Sequence, residues 1–235
     1  MMFALLFSAV FGFLTAGTLR TALYPPPKSD RARFVFWTVI YTLLAGGSFA
    51  YLLANGRLGL LWFIIPAAAL TVAYFWTSAS GSKRTLPFEL AGLAGLTLSG
   101  PAAVYTQTGA IGPVAGMVYI LCLIWFFDRT MTARKVLELI RKGSKATSRA
   151  EKLETLKAEI VIHAICLAAA VAVSAFGPLK AWYLALPFLA ATFRTLVAVV
   201  AVENPSDPMK VGFAEMRLGI IFCAFLVLVF RMQAA

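Results

Sequence analysis

The sequence predicts an all-α membrane protein, and two observations support that fold class. The 235 residues are 61% hydrophobic and 13% charged, with a mean hydropathy of +0.85, which leaves too few charges to cover a water-soluble domain. The apolar residues also fall into runs that are about long enough for a helix to cross a hydrocarbon core of about 30 Å. We therefore expect a polytopic transmembrane helix bundle of about eight spans, with residues 1–235 forming a single membrane domain.

The individual spans follow from the apolar runs. They are expected at 1–17, 34–54, 58–76, 88–106, 110–127, 159–178, 181–202 and 212–230. Pro101 and Pro187 should kink the fourth and seventh spans, because a proline inside a helix removes a backbone hydrogen bond. Small residues spaced four apart in the fourth span favour close packing with another helix; they are Ala91, Gly95 and Ser99. Five tryptophans near span ends suggest an interfacial aromatic belt: Trp37, Trp62, Trp76, Trp125 and Trp182.

The basic residues predict the topology. The chain has 21 Lys and Arg against 10 Asp and Glu, a net charge of +11. Sixteen of these 21 cations fall in the connections after spans one, three, five and seven. The positive-inside rule then places those connections in the cytoplasm and both termini outside, in a bacterial inner (cytoplasmic) membrane. Because the cations flank apolar spans, the expected partners are anionic lipid headgroups of the bilayer and no nucleic acid.

The longest connection, 129–158, is interpreted as a cytoplasmic basic connector. Residues 129–157 carry nine basic and three acidic side chains. Val136, Leu139 and Ile140 are spaced for one helical face. A surface helix that binds anionic headgroups or a phosphorylated substrate is one interpretation, and a solvated connector that only fixes topology is the favoured one.

Ionisable residues at membrane depth are the functional candidates, because burying a charge in lipid costs several kcal/mol. The candidates for a polar pocket are Arg20, Lys83, Arg84, Glu89, Asp128, Arg194, Glu203, Glu215 and Arg217. The acidic residues all lie in predicted cytoplasmic connections or adjoining turns, so such a pocket should open to the cytoplasm. His163 is interpreted as a satisfied packing residue, and its spacing from Glu159, one helical turn earlier, would allow a hydrogen bond between them. No catalytic motif or metal-ligand pattern is present, so we predict no metal site and no cofactor, and the catalytic residues are unknown.

Short motifs resemble two membrane families. The run from Tyr74 to Gly109, with the Lys83–Arg84 pair and the small-residue stripe, resembles the fourth-to-fifth helix connection of the UbiA-type prenyltransferase superfamily. The poorly characterised YwiC-like membrane proteins are more similar. They share a Pro-x-Glu-x-x-Gly opening and a late Lys-x-Gly-x-x-Glu, which here are Pro87, Glu89, Gly92 and Lys210, Gly212, Glu215. Their first helix, opened by a His-Gly-Ala-Trp type motif, is not found, so we expect a UbiA-like architecture that lacks a first helix.

The resemblance implies a fold more than a reaction. UbiA-type enzymes hold magnesium diphosphate with two aspartate-rich motifs, and the corresponding places offer only Asp30 and Asp128, each among cations. We expect a YwiC-like multi-pass inner-membrane protein with a cytoplasm-facing polar pocket. The alternatives are an intramembrane transferase acting on a lipid or prenyl diphosphate, and a small-solute transporter or accessory membrane subunit.

Overall fold

The computed structural model describes residues 1–23, 31–79, 86–143, 148–201 and 207–234. Two compact units make up the chain, Met1–Tyr119 and Ile120–Ala235. In the described residues all regular structure is helical and no strand occurs, which confirms the all-α fold class. The helices are α1 (Met2–Leu23), α2 (Arg31–Ala54), α3 (Leu61–Ala79), α4 (Leu86–Thr97), α5 (Ser99–Thr108), α6 (Pro113–Lys142), α7 (Arg149–Phe176), α8 (Leu186–Val200) and α9 (Pro208–Ala234). Short 3₁₀ turns, Leu58–Leu60 and Trp182–Ala185, precede α3 and α8.

Each predicted span overlaps one or two of these helices. Among the described residues, five helical segments are long and apolar enough to cross a membrane: Arg31–Ala54, Pro113–Lys142, Arg149–Phe176, Trp182–Val200 and Pro208–Phe230. They support a multi-pass membrane protein, while the number of eight spans stays a prediction.

The first unit has its core where α2, α3 and α5 meet. The buried residues there are Leu52, Leu60, Phe63, Ala102 and Tyr105. The backbone N–H of Gly59 donates a hydrogen bond to the Tyr105 hydroxyl over 3.0 Å. A Cβ atom at Gly59 would lie only 2.5 Å from Cζ of Tyr105, so the turn before α3 requires glycine. On α4, Gly95 similarly faces Leu70 of α3, a close approach of the kind that the small-residue stripe predicted.

The two predicted proline kinks have different outcomes. The fourth span is interrupted at Leu98, between α4 and α5, because Pro101 has no N–H for the carbonyl of Thr97, one turn earlier. The kink predicted at Pro187 is wrong. Pro187 lies in the first turn of α8, where a missing N–H breaks no intrahelical bond, so the proline starts the helix after the 3₁₀ turn.

The second unit packs α6, α8 and α9 around three aromatic rings. Trp125 of α6 and Phe222 of α9 are stacked, with ring centroids 4.5 Å apart. Phe188 of α8 meets Trp125 edge to face at 5.3 Å. Trp125 is only 1% exposed, so its assignment to an interfacial belt is wrong. Its position near a predicted span end does not show that Trp125 faces the membrane interface, because α6 continues well past that end.

Helix α6 and helix α7 extend into the segment interpreted as a basic connector. Their 30 and 28 residues correspond to about 45 and 42 Å at 1.5 Å per residue, longer than a hydrocarbon core of about 30 Å. Gly143, with φ +62°, follows the last turn of α6. Ser148 caps α7 by accepting a hydrogen bond from the N–H of Glu151. Much of 129–158 is therefore helix, and its cytoplasmic location stays a prediction.

Candidate functional site

A cavity of about 410 Å³ lies in the second unit. It is enclosed by the carboxyl-terminal halves of α6 and α8 and the amino-terminal halves of α7 and α9. The lining residues are Arg129, Thr132, Val136, Leu139, Lys152, Leu156, Glu159, Arg194, Thr195, Ala198, Val211 and Glu215. Five of these twelve are aliphatic and the other seven are charged or hydroxyl-bearing, so the cavity can accept a ligand that is partly apolar and partly polar.

Arg129 is the centre of an ion network in this cavity. Its Nη2 lies 2.9 Å from Oδ2 of Asp128, and both side chains are almost completely buried. Its Nη1 lies 3.5 Å from Oε2 of Glu215. Glu215 also accepts from Nη1 of Arg194 over 3.3 Å, so this carboxylate joins two guanidinium groups from different helices. Each buried charge in the network thus has a partner of opposite sign, as low-dielectric surroundings require.

His163 of α7 extends the network behind the cavity wall. Its Nδ1 lies 2.6 Å from Oδ1 of Asp128, and its Nε2 lies 2.9 Å from Oγ1 of Thr195 on α8. The imidazole is only 1% exposed. A carboxylate can only accept, so Nδ1 carries the hydrogen that binds Asp128, and Nε2 of the neutral ring is left as an acceptor for the Thr195 hydroxyl.

Several buried polar atoms in the cavity wall have no hydrogen-bond partner. They are Nε of Arg129, Oε2 of Glu159 and Oε2 of Glu215, although the last is an ion partner of Arg129. Buried polar atoms are nearly always satisfied, and an unsatisfied one costs about 1–3 kcal/mol. Three residues that line the cavity therefore have hydrogen-bonding capacity that the protein itself does not use.

The cavity also has an apolar end. Leu139 of α6, Leu156 of α7 and Val199 of α8 form a buried cluster, and the first two line the cavity. The predicted amphipathic face of residues 136–140 is the origin of this wall. Arg149 binds the carboxyl-terminal end of α8, where its Nε donates a hydrogen bond to the carbonyl of Val200 over 3.0 Å.

The structure brings together three of the predicted pocket residues: Asp128, Arg194 and Glu215. Arg217 lies two residues further along α9 and is exposed. The other candidates described belong to the first unit, with Arg20 in α1 and a half-buried Glu89 in the first turn of α4. Lys83, Arg84, Glu203 and Asp30 lie outside the described residues.

Four further members of the network were not predicted as pocket residues. They are Arg129, His163, Thr195 and Thr132, whose Oγ1 lies 3.4 Å from Nε2 of His163. The hydrogen bond that the spacing of His163 and Glu159 would allow does not form, because the imidazole bonds Asp128 and Thr195 while Oε2 of Glu159 has no hydrogen bond. His163 therefore bonds Asp128 of α6 in place of Glu159, its neighbour one turn earlier on α7. The sequence offers only a lone histidine and an aspartate, each inside or beside an apolar run. They could be paired from the sequence only if α6 and α7 were known to be adjacent.

Carboxylate groups of this site do not form a metal-binding cluster. Among the described residues, no group of three or more His, Cys, Asp or Glu side chains is arranged to hold a metal ion. Both oxygens of Asp128 already have partners, His163 and Arg129. The donors in this cavity are better suited to direct recognition of an anion than to binding it through magnesium.

Comparison with known proteins identifies a family for the first part of the chain. A family model described as YwiC-like protein matches residues 1–104, which confirms the predicted YwiC-like resemblance over that part of the chain. The match includes Pro87, Glu89 and Gly92 and ends before the cavity of the second unit. No curated protein and no solved structure matches the chain.

Proposed function

We propose, on the premise that the chain is YwiC-like over residues 1–104, that this multi-pass membrane protein binds an anionic amphiphile through its second unit. The observation that carries the proposal is the cavity of about 410 Å³, which combines cations with an aliphatic wall. Arg129, Lys152 and Arg194 line one part of it, and Leu139 and Leu156 line another. Such a cavity suits a phosphate or carboxylate head with an attached hydrocarbon chain.

The position of the cavity favours a ligand that comes from the cytoplasmic leaflet. It lies at the ends of α6 and α8 and the beginnings of α7 and α9, and all four ends belong to connections that the positive-inside rule assigns to the cytoplasm. Ionisable side chains in transmembrane segments are generally functional, because lipid gives them no solvation. The network of Asp128, Arg129 and Glu215 fits that generalisation.

The proposal is tested by lipid binding to the purified protein in detergent. Phosphatidylglycerol should raise the thermal unfolding temperature, whereas phosphatidylcholine at the same concentration should not. Arg194→Gln should weaken binding of phosphatidylglycerol about tenfold to a hundredfold, the loss of one charge-assisted hydrogen bond. Lys157→Gln is the matched control, because Lys157 is an exposed cation that pairs with Glu154. Equal stabilisation by both lipids, or equal effects of the two substitutions, would contradict the proposal.

A UbiA-like transferase is supported less well. Prenyl transfer with magnesium needs several carboxylates that are free to bind the metal, and Asp128 has both oxygens occupied by His163 and Arg129. We therefore expect no magnesium-dependent transfer from a prenyl diphosphate by the purified protein. Product that appears with magnesium and disappears in Asp128→Asn would favour the transferase instead.

A further inference from the structure

One residue of the cavity wall has the surroundings of a nucleophile. Thr195 lines the cavity, and its hydroxyl is the first member of a relay of three side chains from three helices. Oγ1 of Thr195 is 2.9 Å from Nε2 of His163, and Nδ1 of the same ring is 2.6 Å from Oδ1 of Asp128. This order of hydroxyl, imidazole and carboxylate is the arrangement that activates a weak nucleophile in acyl transfer.

We propose that Thr195 is the nucleophile of an acyl-transfer site whose substrate is the carboxylic ester of an anionic lipid. The inference rests on the proposed binding function and deepens it. Thr195 is the one residue of the relay that lines the cavity, since His163 and Asp128 are almost completely buried and are absent from the cavity lining. A base that is shielded from solvent while its partner hydroxyl meets the ligand is the geometry that this chemistry needs.

The relay can support the positive charge that forms on the imidazole. Asp128 accepts the Nδ1 hydrogen and is held in place by Nη2 of Arg129 at 2.9 Å. The guanidinium lies beside the ring, with Nη2 3.2 Å from Nδ1, and is itself partly neutralised by Glu215 at 3.5 Å. The imidazolium would therefore have the Asp128 carboxylate in direct contact, while Glu215 offsets part of the charge of the adjacent guanidinium.

Each step balances with water as the second substrate. Oγ1 of Thr195 attacks the ester carbonyl carbon, and its proton passes to Nε2 of His163. The carbon–oxygen bond to the alcohol breaks, and the alcohol leaves with that proton, so that an acyl-threonine remains. Water then attacks the acyl carbon with His163 again as base, and the acid and free Thr195 are released. Arg129 lines the cavity beside Thr195, and its guanidinium supplies positive charge near a negatively charged carbonyl oxygen.

A competing explanation is that the relay only satisfies a buried histidine. Oγ1 of Thr195 is also 3.3 Å from the carbonyl of Ala191, so the hydroxyl has a helical acceptor that requires no chemistry. The two explanations differ in reactivity, because a hydroxyl that only satisfies buried hydrogen-bond acceptors is not activated toward electrophiles at neutral pH.

The test is covalent labelling of the full chain in detergent with a long-chain alkyl fluorophosphonate. Reaction forms a bond from Oγ1 to phosphorus and releases fluoride, with the hydroxyl proton passing to His163. Peptide mapping by mass spectrometry should locate the adduct at Thr195. Thr195→Val, which preserves side-chain volume, should abolish it, and Thr195→Ser should retain it. His163→Gln should slow labelling by a factor of about 100 or more, the contribution of a general base.

Thr192→Val is the matched control. Thr192 lies one turn earlier on α8, and its hydroxyl donates to the carbonyl of Phe188 over 2.9 Å, but it does not line the cavity. Its substitution should leave the rate of labelling unchanged. Thermal unfolding is measured on the same preparations with and without phosphatidylglycerol. The unfolding temperature without lipid reports folding, and its rise with phosphatidylglycerol reports lipid binding.

The outcomes distinguish the two proposals. Protein that is stabilised by phosphatidylglycerol but carries no adduct at Thr195, or is labelled equally in His163→Gln, overturns the nucleophile and leaves the binding function standing. Protein that shows neither stabilisation nor adduct overturns both. An adduct at Thr195 without stabilisation by phosphatidylglycerol supports the nucleophile and refutes the anionic lipid as its ligand.

Discussion

Asp128→Asn should destabilise the second unit more than any exposed charge substitution. The Asp128 side chain is 2% exposed and accepts from Arg129 over 2.9 Å and from His163 over 2.6 Å. Asparagine keeps the shape but offers one acceptor oxygen in place of two. One of the two donors is then left unpaired, and the guanidinium keeps only Glu215 as counter-charge, at 3.5 Å.

The expected cost of Asp128→Asn is about 3–5 kcal/mol, the range for removal of one partner from a buried ion pair. The free energy of unfolding is measured in detergent micelles by titration with sodium dodecyl sulfate, with far-ultraviolet circular dichroism as the signal. Glu138→Gln is the control, because Glu138 lies on the same helix and pairs with Lys142 at the surface. Exposed pairs of this kind contribute little.

A double-mutant cycle tests the reasoning further. Arg129→Gln combined with Asp128→Asn should cost less than the sum of the two single substitutions by about 0.5–3 kcal/mol, because each single change leaves a buried charge without its partner. If Asp128→Asn is no more destabilising than Glu138→Gln, or if the two costs simply add, the buried ion pair does not stabilise the second unit.

Two further predictions concern topology and packing. Reporter fusions after Gly109 and after Gly143 should report opposite sides of the membrane, with the second in the cytoplasm, and identical reports would refute the topology. Gly59→Ala should cost about 1–3 kcal/mol, because its methyl group would collide with the ring of Tyr105. Gly46→Ala, inside α2, should not destabilise the protein, because the added carbon meets no atom within 4 Å other than its chain neighbours and its own helix backbone and alanine is the better helix former. Equal unfolding free energies of the two variants would contradict the contact between residue 59 and Tyr105.

Most of the fold could be predicted because membrane spans are encoded locally. A run of about 20 apolar residues is enough to identify a candidate spanning helix, so each predicted span overlaps one or two of the helices. Pro187 and Trp125 were misplaced for a related reason. Hydropathy locates the lipid-soluble part of a helix but not its first and last turns. The structural role of each of these residues depends on where its helix begins or ends.

The site could be predicted only in part because its contacts are tertiary. Asp128, Arg194 and Glu215 are recognisable as ionisable residues beside apolar runs, a local property. The contacts of His163 with Asp128 and Thr195 join residues 35 and 32 positions apart. No periodicity within one helix relates residues that far apart, so the relay depends on how α6, α7 and α8 pack.

The cations of the predicted basic connector, 129–158, are of two structural kinds. The difference helps to decide whether the segment binds an anion or only fixes the topology. Arg129 and Lys152 are buried and line the cavity, whereas Lys142 and Lys157 are exposed at the surface. If the positive charge of this segment serves only to orient the chain, any of these four cations should be replaceable at similar cost, because the positive-inside rule counts charges and not contacts. If the cavity binds an anion, replacement of the buried pair should weaken lipid binding while replacement of the exposed pair should not. Because both sets of replacements change the net charge by the same amount, comparing them separates a topological signal from a binding site within one segment.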